Sequence, residues 1–216
     1  AIVIGCDVQR QFIVSVFQSF KALSDSPCRP FDAERTGLNL GEAVATMIYS
    51  SERPKKSCWQ LIAGSMHNDA NHISGPSRTG EGSYRCLVDV LQNCNTADIN
   101  ALSVHGTATL YNDEMEAIAI HRAHMQEVPI LAFKGYYGHT MGAAGVLETI
   151  LTMLALENGT LIGNPRYDAC GTSYALNIAK EHRSLGKLPM YFIKMMSGFG
   201  GCNAAIRLSY CGCDEL

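Results

Sequence analysis

An α/β fold is predicted by two features of this 216-residue sequence. From Asp98 onward, β-rich apolar runs alternate with helical patterns, the order that gives a sheet covered by helices. Three polar, glycine-containing segments, residues 103–109, 134–140 and 197–203, each follow an apolar run. In an open α/β sheet, residues just past the carboxyl ends of strands line a shared crevice. Two histidines, a lysine and a phenylalanine, distant in sequence, are therefore expected to meet in one pocket.

The elements follow in order. Residues 1–6 are a short apolar run and read as a buried strand. Phe12, Val16 and Phe20, with Ile13 and Leu23, recur at helical spacing. Residues 24–35 hold two prolines and no period, which predicts a loop. The β-rich runs 42–50 and 59–66 flank a charged, proline-containing segment and predict a hairpin. A polar, glycine-rich stretch, 68–82, precedes a helix near 83–92. A strand at 99–104 leads to a helix near 113–124, and a strand at 129–133 leads to a helix at 142–157. An irregular link through Asn164 and Pro165 precedes a short strand near 174–178, and strands at 190–195 and 204–208 complete the pattern. No internal repeat is present.

Composition narrows the function. The chain is long enough to bury a sizeable core. Its charged fraction of 17% lies below the roughly 25% usual for soluble domains, so extensive contact with a partner half or subunit is expected. A net charge of −3 leaves no basic footprint for nucleic acid. No apolar run reaches the roughly 18 residues of a membrane span, and the opening lacks the cationic start of a signal peptide. A soluble, cytoplasmic fragment is expected. Nine cysteines form no Cys-x-x-Cys pair, and their odd number argues against a complete disulfide framework. Cys211 and Cys213 have no nearby ligands to complete a metal site, and free cysteines of this kind act as small core fillers.

Individual residues carry chemistry. His105 ends an apolar strand ahead of glycine and threonines, and His139 stands between Gly138 and Thr140 ahead of a small-residue helix. Histidine is a poor capping residue, and two histidines at successive strand ends favour a functional pair. Lys134 directly follows the apolar run 130–133. Asp113 and Glu116 have capping-box spacing and are expected to position the helix and the His105 loop. Glu148 lies on an otherwise apolar helix, either on its solvent stripe or buried with a partner. Phe199, between glycines, can take an unusual turn. His121 and His124 are expected to face solvent, and His67 and His72 to lie in or beside a polar loop.

Four motifs in order then resemble the β-ketoacyl synthases of the thiolase superfamily. They are Arg29-Pro30-Phe31-Asp32 with Arg35, Gly37, Gly41 and Glu42; His105-Gly106-Thr107 with Thr109; Lys134 followed by Gly138-His139-Thr140; and Gly198-Phe199-Gly200-Gly201 with Asn203 and Ala204. The resemblance implies a thiolase-like fold, layered α-β-α-β-α in the complete enzyme. Residues 1–97 would be the tail of the N-terminal half with inserted loops, and residues 98–216 the C-terminal half. It implies decarboxylative Claisen condensation of an acyl thioester with a malonyl-carrier thioester. The catalytic residues would be His105, His139 and Lys134, and Phe199 would serve as gate and oxyanion amide. Thr107, Thr109, Asp113, Glu116 and Glu148 would give support. No metal or other cofactor is implied.

The expected partners are an acyl carrier protein, the missing N-terminal half with its nucleophilic cysteine, and a second synthase subunit in a homodimer or heterodimer. Ser197 replaces an aromatic residue common in relatives, which bears on the gate. The alternative readings are a non-catalytic, chain-length-factor-like subunit and a binding or assembly module.

Overall fold

The computed structural model describes residues 1–52, 57–186 and 188–211. The first part comprises β1 (Ile2–Asp7), α1 (Gln11–Ser19), β2 (Ala43–Ile48), β3 (Cys58–Asn68) and α2 (Glu81–Val90). Next come β4 (Ile99–Ser103), α3 (Leu110–Arg122), β5 (Ile130–Leu131), α4 (Lys134–Tyr137) and α5 (Ala144–Glu157). The short strands β6 (Thr160–Leu161) and β7 (Arg183–Ser184) precede β8 (Tyr191–Gly198) and β9 (Cys202–Cys211).

The main sheet has the order β3-β9-β8-β4-β5. β4 runs parallel to β5 and β8, while β9 runs antiparallel to β8 and β3. Period-two alternation divides its side chains between two cores. On one face Leu102 of β4 and Ile193 and Met195 of β8 join Leu87 and Val90 of α2 and Ile120 of α3. On the other face Ala101, Phe192 and Leu208 meet Leu156 of α5. α5 therefore lies between this sheet and the β1–β2 ribbon, which it also contacts. Gly5 permits that approach: a Cβ there would stand 2.7 Å from Gly142 O and 2.9 Å from Ala143 Cα.

The structure departs from the sequence expectations at several elements. The runs 42–50 and 59–66 do not form a hairpin. β2 pairs with β1, Ile48 opposite Ile2, and β3 pairs with β9, Asn68 opposite Cys202. Residues 53–56 between them, and Cys213, lie outside the described residues. No strand forms at 174–178; Asn177 makes single backbone bonds to Gln126 O and Ile130 N, too few for a ladder. β1 is not the buried strand expected, since Ile2 is 68% and Ile4 64% exposed and only Gly5 in it is buried, whereas α1 forms where the helical spacing predicts it. The run 129–133 yields only a two-residue strand, and the chain turns into α4, so Lys134 opens a short helix. The break between sheets falls between β2 and β3, so β3 and α2 pack with the elements that follow Asp98.

Candidate functional site

The loop after β4 is held from inside by two carboxylates. α3 begins at Leu110, and Thr109 at its N-cap makes no side-chain cap bond. Asp113 and Glu116 therefore do not form the expected capping box; they reach back to the loop. Glu116 accepts the backbone N–H of His105 at 2.6 Å and of Gly106 at 2.8 Å. Asp113 Oδ1 accepts from Thr107 at 3.0 Å and Ala108 at 3.1 Å, and Oδ2 accepts from Phe31 at 2.7 Å. Thr107 and Thr109 join their hydroxyls at 2.9 Å. Gly106 takes a φ of +47°, and Phe31 sits beneath it with its own φ at +64°.

The Arg29–Asp32 block is stitched to this loop. The Arg35 guanidinium donates to Asp32 O, Gly171 O and Leu110 O, and its Nε lies 3.9 Å from Asp113. Asp32 accepts the N–H groups of Glu34, Asp168 and Ala169. These three bonds, though burial opposes them, hold its carboxyl below its ordinary range.

His105 and His139 face each other with ring centroids 5.0 Å apart and planes at 80°. Both are buried. Lys134 Nζ lies 3.4 Å from His105 Nδ1, and the N–H of Met141 donates to His139 Nδ1 at 3.0 Å. An ammonium and a backbone N–H are donors only, so both Nδ1 atoms are acceptors. Each ring is thus the Nε2–H tautomer, with that N–H left for the cleft. Burial, and then the charge of Lys134, hold both imidazoles well below 6.5.

Behind the rings, Lys134 donates to His105 O at 2.5 Å and to Glu148 at 2.7 Å. Glu148 is thus buried with a partner and off any solvent stripe. Its second oxygen is taken by Lys194, a residue sequence reasoning passed over. The available signal was a lone lysine inside the apolar strand Tyr191–Met196.

A cleft of about 1230 Å³ opens over this group, bordered by His105, Thr107, Thr109, His139, Phe199 and Asn203 among others. Phe199, in the β8–β9 turn, is 53% exposed and stacks on Phe17 at 5.5 Å, with Phe20 edge-on at 5.7 Å. The four residues expected to share one pocket therefore divide: His105, His139 and Phe199 line the cleft, and Lys134 lies behind it. Ser197 and Ser83 donate to Asn203 Oδ1 at 2.9 and 2.8 Å, fixing the base of that turn.

Elsewhere, His121 stacks on Tyr174 at 3.8 Å, and His67 bonds Asp89 at 2.7 Å. Cys202 lines the cleft, and the eight described cysteines are free. Among the described residues no group of three His, Cys, Asp or Glu side chains could hold a metal.

Comparison with known proteins shows the family. The family profile described as beta-ketoacyl synthase, C-terminal domain, matches residues 60–168. The 3-oxoacyl-[acyl-carrier-protein] synthase 2 of Coxiella burnetii is 30% identical over 214 residues, covering 89% of this chain and 50% of that protein. The protein of the same name from Rhizobium meliloti is 30% identical over 209 residues, covering 89% and 49%. A ketosynthase from Xenorhabdus doucetiae, solved with its chain length factor, superposes with a TM-score of 0.88 at 28% identity, over 98% of this chain and 53% of that one. The chain spans about half the length of the relatives it matches. It belongs to the β-ketoacyl synthase family and has the thiolase-like fold.

Proposed function

We propose that this member of the β-ketoacyl synthase family supplies the decarboxylation half of a condensing site, within a protein that joins an acyl thioester to a malonyl-carrier thioester in fatty-acid or polyketide synthesis. The observation that carries the reading is the pair of neutral imidazoles, each with Nδ1 occupied and Nε2–H left to one cleft. In the reaction the malonyl carboxylate leaves as CO₂, and the electrons of the broken C–C bond pass to the thioester carbonyl as an enolate. His105 and His139 donate their Nε2–H groups to that oxygen. A positioned donor of this kind is worth about 2.7–4 kcal/mol in the transition state. The enolate carbon then attacks an acyl group held on a cysteine, and the carbonyl electrons return to expel the thiolate.

Lys134 orients His105, and its ammonium disfavours a second positive charge on the ring. The backbone amide of Phe199 stabilises the oxyanion of the acyl carbonyl, and its ring gates access. Thr107, Thr109, Asp113, Glu116 and Glu148 hold the framework. The nucleophilic cysteine belongs to the remaining half of the relatives' length, outside this chain. Carrier protein is the substrate-bearing partner by the chemistry of the thioester. A second synthase subunit is the other partner, in keeping with the Xenorhabdus ketosynthase solved with its chain length factor. We assign residues 98–216 to the C-terminal half and extend that half back to β3, since the matched profile begins at position 60. No described helix is long and apolar enough to cross a membrane; by likeness to the bacterial synthases, the proposed location is the cytoplasm.

The test is incubation of the full-length protein with acyl- and malonyl-carrier substrates. A ketoacyl thioester is expected from it and none from the 216-residue chain alone. Stoichiometric acylation of Cys6 or Cys202 in the isolated chain, or absence of product from the full-length protein, would overturn the assignment.

A further inference from the structure

Lys194 lies on β8 between Ile193 and Met195, which face the α2–α3 core, so strand alternation turns it with Phe192 toward α5. There it is 3% exposed. Its Nζ donates to Glu148 Oε2, to Val104 O at 2.9 Å and to Ser103 O at 3.3 Å. Lys134 takes Glu148 Oε1 and the next carbonyl, that of His105. One carboxylate on α5 thus holds two ammonium groups, and they in turn hold three consecutive carbonyls at the end of β4. A lone ion pair would need only one lysine. The second is a buried charge, costly unless paired and hydrogen-bonded, and it adds a positive charge beside the imidazoles.

We propose that Lys194 is a positioning residue for the condensation: it fixes the carbonyls of Ser103 and Val104 and the carboxylate of Glu148, and through them the seat of His105. The inference rests on the reading above, in which the two imidazoles are the donors to the enolate. The charged groups facing Lys194 are Glu148 from α5, Lys134 from α4 and Glu116 from α3. Its charge also opposes protonation of both His105 and His139. Removing it therefore acts on the site twice, by loosening the strand end and by making the rings easier to protonate.

The experiment compares Lys194→Met and Lys194→Arg in the full-length protein. Histidine titrations are followed by ¹⁵N NMR, and CO₂ release from malonyl carrier is measured separately from acyl loading. Lys194→Met is expected to raise the titration midpoints of His105 and His139, because it removes a positive charge that opposes their protonation. It should also slow CO₂ release roughly 10–100-fold, the scale of a small misplacement at a reacting centre, with loading within about twofold of the parent. Lys194→Arg, which keeps the charge and its donors, should restore most of both. In a Glu148→Gln background Lys194→Met should add little further loss, because residues in one network are not additive.

Unchanged midpoints and unchanged CO₂ release in folded Lys194→Met overturn the proposal. So does a loss that Lys194→Arg fails to rescue and that is additive with Glu148→Gln. If Lys194→Met does not fold, Lys194→Gln, with a donor but no charge, carries the same comparison. A parent protein that releases no CO₂ sinks the functional reading instead, and the histidine midpoints still decide the effect of Lys194.

Discussion

Replacing Asp113 with asparagine isolates the contact that ties the first motif block to the histidine loop. The carboxylate spans three backbone donors, with Thr107 and Ala108 on one oxygen and Phe31 on the other. An amide can keep its oxygen only toward one side. The less costly orientation retains Thr107 and Ala108 and turns the NH₂ group on the N–H of Phe31, leaving two donors opposed in a buried site. Loss of a charge-assisted bond and an orphaned buried N–H together cost about 2–4 kcal/mol.

Phe31 is a non-glycine residue at φ +64°, a conformation that costs about 1–2 kcal/mol and persists only where its surroundings enforce it. Freed from Asp113, it should relax away from Gly106 and loosen the turn that carries His105. Urea unfolding of full-length Asp113→Asn, with native-state amide exchange at Phe31, Thr107 and Ala108, reads both effects. The expected outcome is the stated loss of stability with protection lost first at Phe31. Stability within about 0.5 kcal/mol of the parent, the range of an ordinary surface change, together with an unchanged Phe31 amide would refute the reasoning.

Other outcomes follow from the same geometry. Acidification from pH 6.5 should destabilise the protein through its buried histidines: the unfolded chain takes up protons that the folded rings, held well below 6.5, do not. Glu116 opposes this, since burial pushes its carboxyl from 4.5 up to about 7 and the folded state binds the extra proton in that window. Burial raises the Asp113 carboxyl in the same sense, so the histidine part is isolated by His139→Gln, whose melting temperature should fall less than that of the parent between neutral and mildly acidic pH; an equal or larger drop counts against neutral burial. Gly106→Ala should cost about 1–3 kcal/mol, because φ is +47° and the new Cβ would stand 3.1 Å from Ala132 Cβ and 3.2 Å from Phe31 Cε2. Thermal unfolding at or above the parent value would contradict that packing.

The parts legible in the sequence were those encoded by local pattern. β4, α3 and α5 announce themselves by periodicity, and the polar segments after β4, β5 and β8 mark the cleft. What was not legible depends on distant partners. β2 and β3 look like a hairpin because two β-rich runs flank a turn-like segment, yet their partners are β1 and β9, one before the pair and one near the end of the chain. Asp113 and Glu116 have the spacing of a capping box, but the helix begins earlier, which frees both carboxylates for the loop. Lys194 is hidden for a similar reason. Its meaning lies in Glu148, 46 residues earlier and one layer away, which no local window contains.

The central claim is that His105 and His139 act as paired neutral donors to the enolate. The most direct measurement takes His139→Ala in the full-length protein and follows both half-reactions, release of CO₂ from malonyl carrier and acyl loading detected by mass. Loss of one donor should slow CO₂ release by about 10²–10³-fold while the acyl-cysteine still forms. Loading that collapses while CO₂ release persists would contradict the account.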